Sequence, residues 1–300
     1  MSATPPTGSP PRTRFWSRTL AIEIAVLLAI PLVLGATLGF FEINPVESED
    51  LTPVGYDAHL LLNSFPDDSL VVEFAYESNV GPPPNSAVAV LLDRINETCQ
   101  KASVTVDEHE FTSDQSTFSD AQLWNLELAQ RQHWPFWGTM SLFYLYLGGS
   151  YGPDSSVIGL AYRGSSIAIF EGTIDSDSSL LSNTAAYTTT VLVHEFGHEL
   201  GLVGIIGNAP NEDHAHPPHS TDPNDVMYWE VDTTAISVLG PSPPTQFDSA
   251  DLSDLATVRA TPIWTELLPW AVLAVCVAAA ALLLWSVRQE RRRAPTARPK

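Results

Sequence analysis

The chain has 300 residues, 44% of them hydrophobic and 16% charged, which is too apolar for a disordered chain and long enough for about two domains. Its 24 prolines exclude a single long coiled coil, and its two cysteines, Cys99 and Cys276, exclude a disulfide scaffold or a four-thiolate metal module. A formal net charge of −21 argues against nucleic acid as a partner, because phosphate binding needs a basic surface.

The charge is unevenly placed: residues 42–263 hold 32 acidic side chains against five basic ones, and the other nine basic residues lie near the termini. In chain order, residues 1–18 read as a tail with Arg12, Arg14 and Arg18. Residues 19–41, from Thr19 to Phe41, are apolar except for Glu23 and reach the roughly 20 residues that cross a bilayer. A cleavable signal peptide is the competing reading, but the apolar run is long for one and no small-residue cleavage site follows it. Residues 42–68 are a polar, proline-punctuated stalk, and residues 69–263 form the main domain. Residues 264–287 are a second apolar span, uncharged from Leu267 to Val287, and 288–300 are a basic tail that opens with Arg288 and Arg291 to Arg293. Arginines beside both spans place both tails in the cytoplasm. The expected localisation is therefore the cell membrane, with two passes through the lipid bilayer and the main domain outside the cytoplasm.

Within that domain, Leu70 to Tyr76 reads as a strand, ended by the Gly-Pro-Pro-Pro run at 81–84. A helix from Asn85 or Ser86 to about Gln100 puts Val88, Leu91, Leu92 and Ile95 on one face. Ser103 to Val106 is a short strand, Asp120 to His133 an amphipathic helix, and Met140 to Leu147 a strand. Val157 to Phe170 is another, interrupted at Gly164, and a long helix runs through 182–200. Residues 203–226 are rich in turn formers and show no periodicity. This order predicts an α+β fold in which one helix carries the chemistry. Nothing in the sequence signals an oligomeric state.

That helix contains His194-Glu195-Phe196-Gly197-His198. Histidines four apart project from one helical face, so both can hold one metal ion. Glu195 sits beside them as the general base for a water that a zinc ion makes acidic. A surface helix with incidental histidines is the bland alternative. Against it, Val191, Leu192, Val193, Phe196 and Leu200 predict an apolar setting, where two histidines and a carboxylate are costly without a metal or partners.

The run from His194 to Gly204 resembles the metzincin metalloproteases, whose pattern is H-E-x-x-H-x-x-G-x-x-H followed by a Met-turn. Gly201 matches the family glycine, but Gly204 stands where the family has its third histidine. The histidines that follow are His214, His216 and His219, and Val226-Met227-Tyr228 resembles the Met-turn. His219-Ser220, four residues and Asp225 is similar to archaemetzincin-like proteins, which carry cysteines at the places of Ser220 and Asp225. The resemblance implies a metzincin-like zinc protease domain with a mixed sheet, Zn2+ as cofactor and His219 as third ligand, with His216 and then His214 as alternatives. It further implies Met227 as a packing floor under the metal, Tyr228 as a candidate oxyanion donor, and an edge strand within Val157 to Phe170 that pairs with an extended peptide. The implied activity is hydrolysis of peptide bonds in extracytoplasmic protein or peptide substrates. Two other readings stay open. One is a gluzincin-like protease that takes a downstream carboxylate, Glu212 or Glu230, as third ligand. The other is a non-catalytic metal-binding surface module, which has no use for Glu195.

Overall fold

The computed structural model of the protein describes residues 53–136, 138–177, 183–205 and 212–260, with six single positions between 274 and 285. The chain divides into two units, and every element below belongs to the one spanning 44–262. After a short helix α1 (Ala58–Leu62) come β1 (Ser69–Glu77), α2 (Asn85–Thr98), β2 (Ser103–Phe111), β3 (Thr117–Phe118) and α3 (Asp120–Gln130). Then follow β4 (Thr139–Leu147), β5 (Ser150–Tyr151), β6 (Gly159–Arg163), β7 (Ser166–Phe170), α4 (Glu171–Ser176) and α5 (Thr184–Glu199). Two 3-10 turns (Trp229–Asp232 and Thr234–Leu239) and α6 (Ser249–Ala260) close the unit.

The main sheet has the order β2-β1-β4-β7-β6. β1 pairs in parallel with both β2 and β4, with Leu70 opposite Val104 and Met140, and β4 pairs in parallel with β7. β6 is the antiparallel edge, so the sheet is mixed. Side chains alternate between two cores, as the two-residue period of a strand requires. Leu70, Val72, Phe74, Leu142, Tyr144, Ile167 and Ile169 face α2 and α5, whereas Phe143, Leu145, Leu147, Ala168 and Phe170 face Phe118 and Leu123. Covering on both faces explains why β4 and β7 read as unbroken apolar runs. The β1-α2-β2 crossover makes the first half a mixed α/β arrangement where the order of elements predicted segregated α+β.

Three element boundaries differ from expectation for physical reasons. The strand expected at Ser103 to Val106 continues to Phe111, in register with β1 along its whole length. The helix expected to reach His133 ends at Gln130, because the backbone N–H groups of Gln132 and His133 donate to the two oxygens of Glu73 at 2.7 and 2.8 Å. Val157 to Phe170 is a hairpin rather than one strand. Its turn at Gly164 and Ser165 is held by Arg131, which also pairs with Glu127 at 2.7 Å with both side chains fully buried.

The expected two-pass membrane localisation is corrected: among the described residues, no helix is long and apolar enough to cross a membrane. The apolar stretches 19–41 and, but for the six single positions, 264–287 lie outside those residues, as do both tails.

Candidate metal centre

Helix α5 lies on the sheet with its central stretch buried throughout, and the Tyr144 hydroxyl donates to the Leu192 carbonyl at 3.2 Å. Its end is set by chemistry at Gly201. The Gly201 N–H donates to the His198 carbonyl at 2.9 Å and the Leu202 N–H to the Gly197 carbonyl at 3.2 Å, the paired bonds of a Schellman cap, with Gly201 at φ 75°. Val203 and Gly204 also take positive φ, 54° and 86°, which turns the chain sharply away from the helix. Gly204 holds a φ of 86° that L side chains rarely adopt, and a Cβ there would lie 2.9 Å from the Glu212 carboxylate, which would have to move aside. A histidine at this position would therefore be strained by its backbone conformation.

His219 arrives instead. Its carbonyl accepts from the Asp213 N–H at 2.6 Å, and the Ser220 N–H donates to the Met227 carbonyl at 2.7 Å. These bonds fold the loop back beneath α5. His194, His198, His219 and Asp232 each present a donor atom within 4.8 Å of the others. Nε2 of His194 and Nε2 of His198 are 3.0 Å apart. Asp232 bridges the set, with Oδ1 2.5 Å from His194 Nε2 and Oδ2 2.7 Å from His219 Nε2.

The tautomers follow from the carbonyls. A carbonyl can only accept, so His194 Nδ1 donates to Val226 O at 2.6 Å and His219 Nδ1 donates to His216 O at 2.9 Å. In the neutral rings both Nε2 atoms are then lone pairs turned toward each other and toward a carboxylate, an arrangement that needs protons or a cation between them. The donor set fits a divalent metal such as zinc. Burial holds His198 well below the usual histidine range, which keeps it neutral. Burial also works against charge on His219, but the Asp232 carboxylate outweighs it and raises that ring. Burial likewise opposes charge on Asp232, yet His194 and His219 hold its carboxyl well below the usual range.

Glu195 is 1% exposed. Its Oε2 accepts from the Ala161 N–H at 2.6 Å, and its Oε1 is buried with no hydrogen-bond partner. Burial pushes this carboxyl well up, with the Asp232 charge adding to the effect. The approach depends on Gly159 in β6, where a Cβ would overlap Glu195 Oε1 and Val191. Met227 is fully buried beneath the helix, its sulfur against Gly197, where a Cβ would collide with it.

The other candidates stay outside the cluster. His214 has 89% of its side chain exposed, beside Glu212 at 3.9 Å. His216 pairs with Asp213 at 2.9 Å and stacks on Trp229, with ring centroids 4.1 Å apart. Tyr228 packs against the core and the Trp229 ring. Glu212 lies against Gly204, and the carboxylate that reaches the histidines is Asp232, two residues beyond Glu230. Sequence reasoning missed Asp232: no motif spacing links it to His219, and only its place soon after Met227 hinted at it.

No protein-family model matches the chain, and no curated protein matches it. Among solved structures it is similar to archaemetzincin from Methanopyrus kandleri, at 15% identity and a TM-score of 0.45 over 64% of this chain and 97% of that one. It is also similar to metalloproteinase-II from Bacteroides fragilis, at 12% identity and a TM-score of 0.37 over 70% of this chain and 57% of that one.

Proposed function

We propose that the chain is a zinc-dependent metallopeptidase acting on protein or peptide substrates, with His194, His198 and His219 holding the metal and Glu195 as general base. The observation that carries this reading is the convergence of three imidazoles, two of them oriented by backbone carbonyls, beside a buried carboxylate with one oxygen unengaged. Bound by these residues, zinc would supply the Lewis acidity that lets water give up a proton near neutral pH. Glu195 would be the acceptor for that proton: the Ala161 N–H fixes one of its oxygens, and burial raises its basicity. β6 is the edge of the sheet, so an extended peptide laid along it meets Glu195 at Ala161. His194 Nδ1 and His219 Nδ1 hold their protons throughout, locking each ring in its ligating orientation.

Asp232 favours a second reading. Three histidines and an aspartate make four protein donors, the number that closes a structural zinc site, and a closed site makes a non-catalytic metal-binding module. Peptide-library hydrolysis by the zinc-loaded chain separates the two. The peptidase cuts, is silenced by a chelator, and loses about 10²–10⁴-fold in turnover in Glu195→Gln while zinc stays bound. A chain that holds zinc yet cuts nothing, both as wild type and as Asp232→Ala, is the module.

A further inference from the structure

Helix α3 lies on the face of the sheet opposite α5, and it grips the strand that holds Glu195. β6 pairs with β7 as Ala161 opposite Ile167 and then Arg163 opposite Ser166, so Tyr162 is an extra residue, a β-bulge. Neighbouring residues of a regular strand point to opposite faces. Here the bulge sends both Tyr162 and Arg163 to α3. The Tyr162 hydroxyl donates to Glu127 Oε2 at 2.9 Å, and the Arg163 guanidinium lies over the Trp124 ring, 4.6 Å from its centroid. Trp124 and Glu127 are neighbours on one face of α3, three residues apart. Glu127 is a fixed anchor. It is fully buried, and its Oε1 accepts from Arg131 at 2.7 Å and from the Ser166 hydroxyl at 2.6 Å.

On the α5 face, the residue before the bulge gives its backbone to the base: the Ala161 N–H donates to Glu195 Oε2 at 2.6 Å. Glu127 and Glu195 thus hold adjacent residues of one edge strand from opposite faces of the sheet. An edge strand has no neighbour on its outer side to fix its shape, so the grip from α3 governs where the Ala161 N–H points. We propose that Tyr162 is a positioning residue for Glu195: its bond to Glu127 sets the bulge, and the bulge aims the Ala161 N–H at the carboxylate. The effect on hydrolysis rests on the peptidase reading above; the effect on the Ala161 bond does not. The Tyr162 hydroxyl faces α3 and not the histidine cluster, so its loss reaches the chemistry through β6. Small displacements of a reacting group are costly, up to about 10²-fold for a shift of about 1 Å.

The test compares Tyr162→Phe with the wild-type full-length protein by amide NMR of Ala161 and by hydrolysis of a library-selected peptide with zinc loaded. An amide proton in a short bond to a carboxylate resonates far downfield. In Tyr162→Phe that signal moves upfield, in the metal-free protein as well as in the zinc-loaded one. The kcat falls about tenfold while KM stays within about twofold, the pattern of a lost transition-state interaction, and zinc affinity is unchanged. Tyr151→Phe removes a hydroxyl bond to Asp120 at the start of α3 and leaves both readouts at wild type. An Ala161 signal that stays in place in Tyr162→Phe overturns the proposal. So does a wild-type kcat despite a moved signal, and so does an equal fall in Tyr151→Phe, which assigns the loss to the packing of α3 at large. A moved signal in a protein whose zinc-loaded wild type cuts no peptide contradicts the peptidase reading instead, and leaves the grip on Glu195 supported.

Discussion

His194, Glu195 and His198 ride on a helix whose backbone is bonded turn by turn and whose flanks are fully buried, whereas His219 and Asp232 are carried by loop and a single 3-10 turn. The first half is held by the whole core. The second is held by a few backbone bonds, among them Asp213 N–H to His219 O at 2.6 Å and Ile158 N–H to Asp232 O at 2.8 Å. The difference teaches that the helical half keeps its spacing by itself. The loop half depends on what it closes around. A metal held between them would join a rigid partner to an adaptable one, and perturbations of the two halves should differ in kind.

The largest expected effect tests the anchoring of the helical half. Glu171 of α4 accepts the Thr188 hydroxyl of α5 at 2.8 Å, is 6% exposed, and has its carboxyl pushed up to about 7 by burial. The folded state therefore holds this proton more tightly than the unfolded chain, whose glutamates titrate near about 4.3. The contribution is complete below that value and is lost as pH rises through about 7, a fall of about 3 kcal/mol. Chemical denaturation across pH 4–8 with chelator present checks it, and Glu171→Gln should remove that fall.

A smaller effect comes from crowding the base. Gly159→Ala drives a methyl into Glu195 and Val191, and overpacking of this kind costs about 1–3 kcal/mol. Denaturation midpoints read the stability loss, and peptide hydrolysis should fall with it because Glu195 is displaced. Unchanged values for both would mean that β6 yields and that the close approach is not needed.

The smallest effect sharpens the contrast itself. Removing zinc should raise amide hydrogen exchange in 212–232 while the centre of α5 stays protected, because local opening follows the number of bonds holding a segment. Equal deprotection of both segments would place the adaptable element in the helix instead.

How much of this was legible in the sequence follows the same divide. The helical spacing of His194 and His198 maps directly onto one face, and the apolar neighbours Val191 to Val193 announced burial. The apolar runs from Leu70 to Tyr76 and from Met140 to Leu147 read as strands, and the structure shows why they are apolar throughout, since both faces are covered. His219 was reachable only through the resemblance around Met227, since loop geometry has no period to read. Asp232 had no motif to mark it beyond its place soon after Met227, because its position is set by the pairing of Val157 with Thr233, a contact between distant segments. Gly159 looked like an ordinary strand residue, and its need for a bare Cα arises from the side chain across from it. The hairpin at Gly164 was partly legible as an interruption, but not as a reversal of direction.

The most direct test of the account is a competitive zinc titration of the full-length protein and its single-histidine variants. His219→Ala should weaken zinc binding by more than about 100-fold, beyond what loss of a residue that merely orients a ligand costs, while His216→Ala, stacked on Trp229 outside the cluster, stays near wild type. Wild-type zinc affinity in His219→Ala would contradict the account.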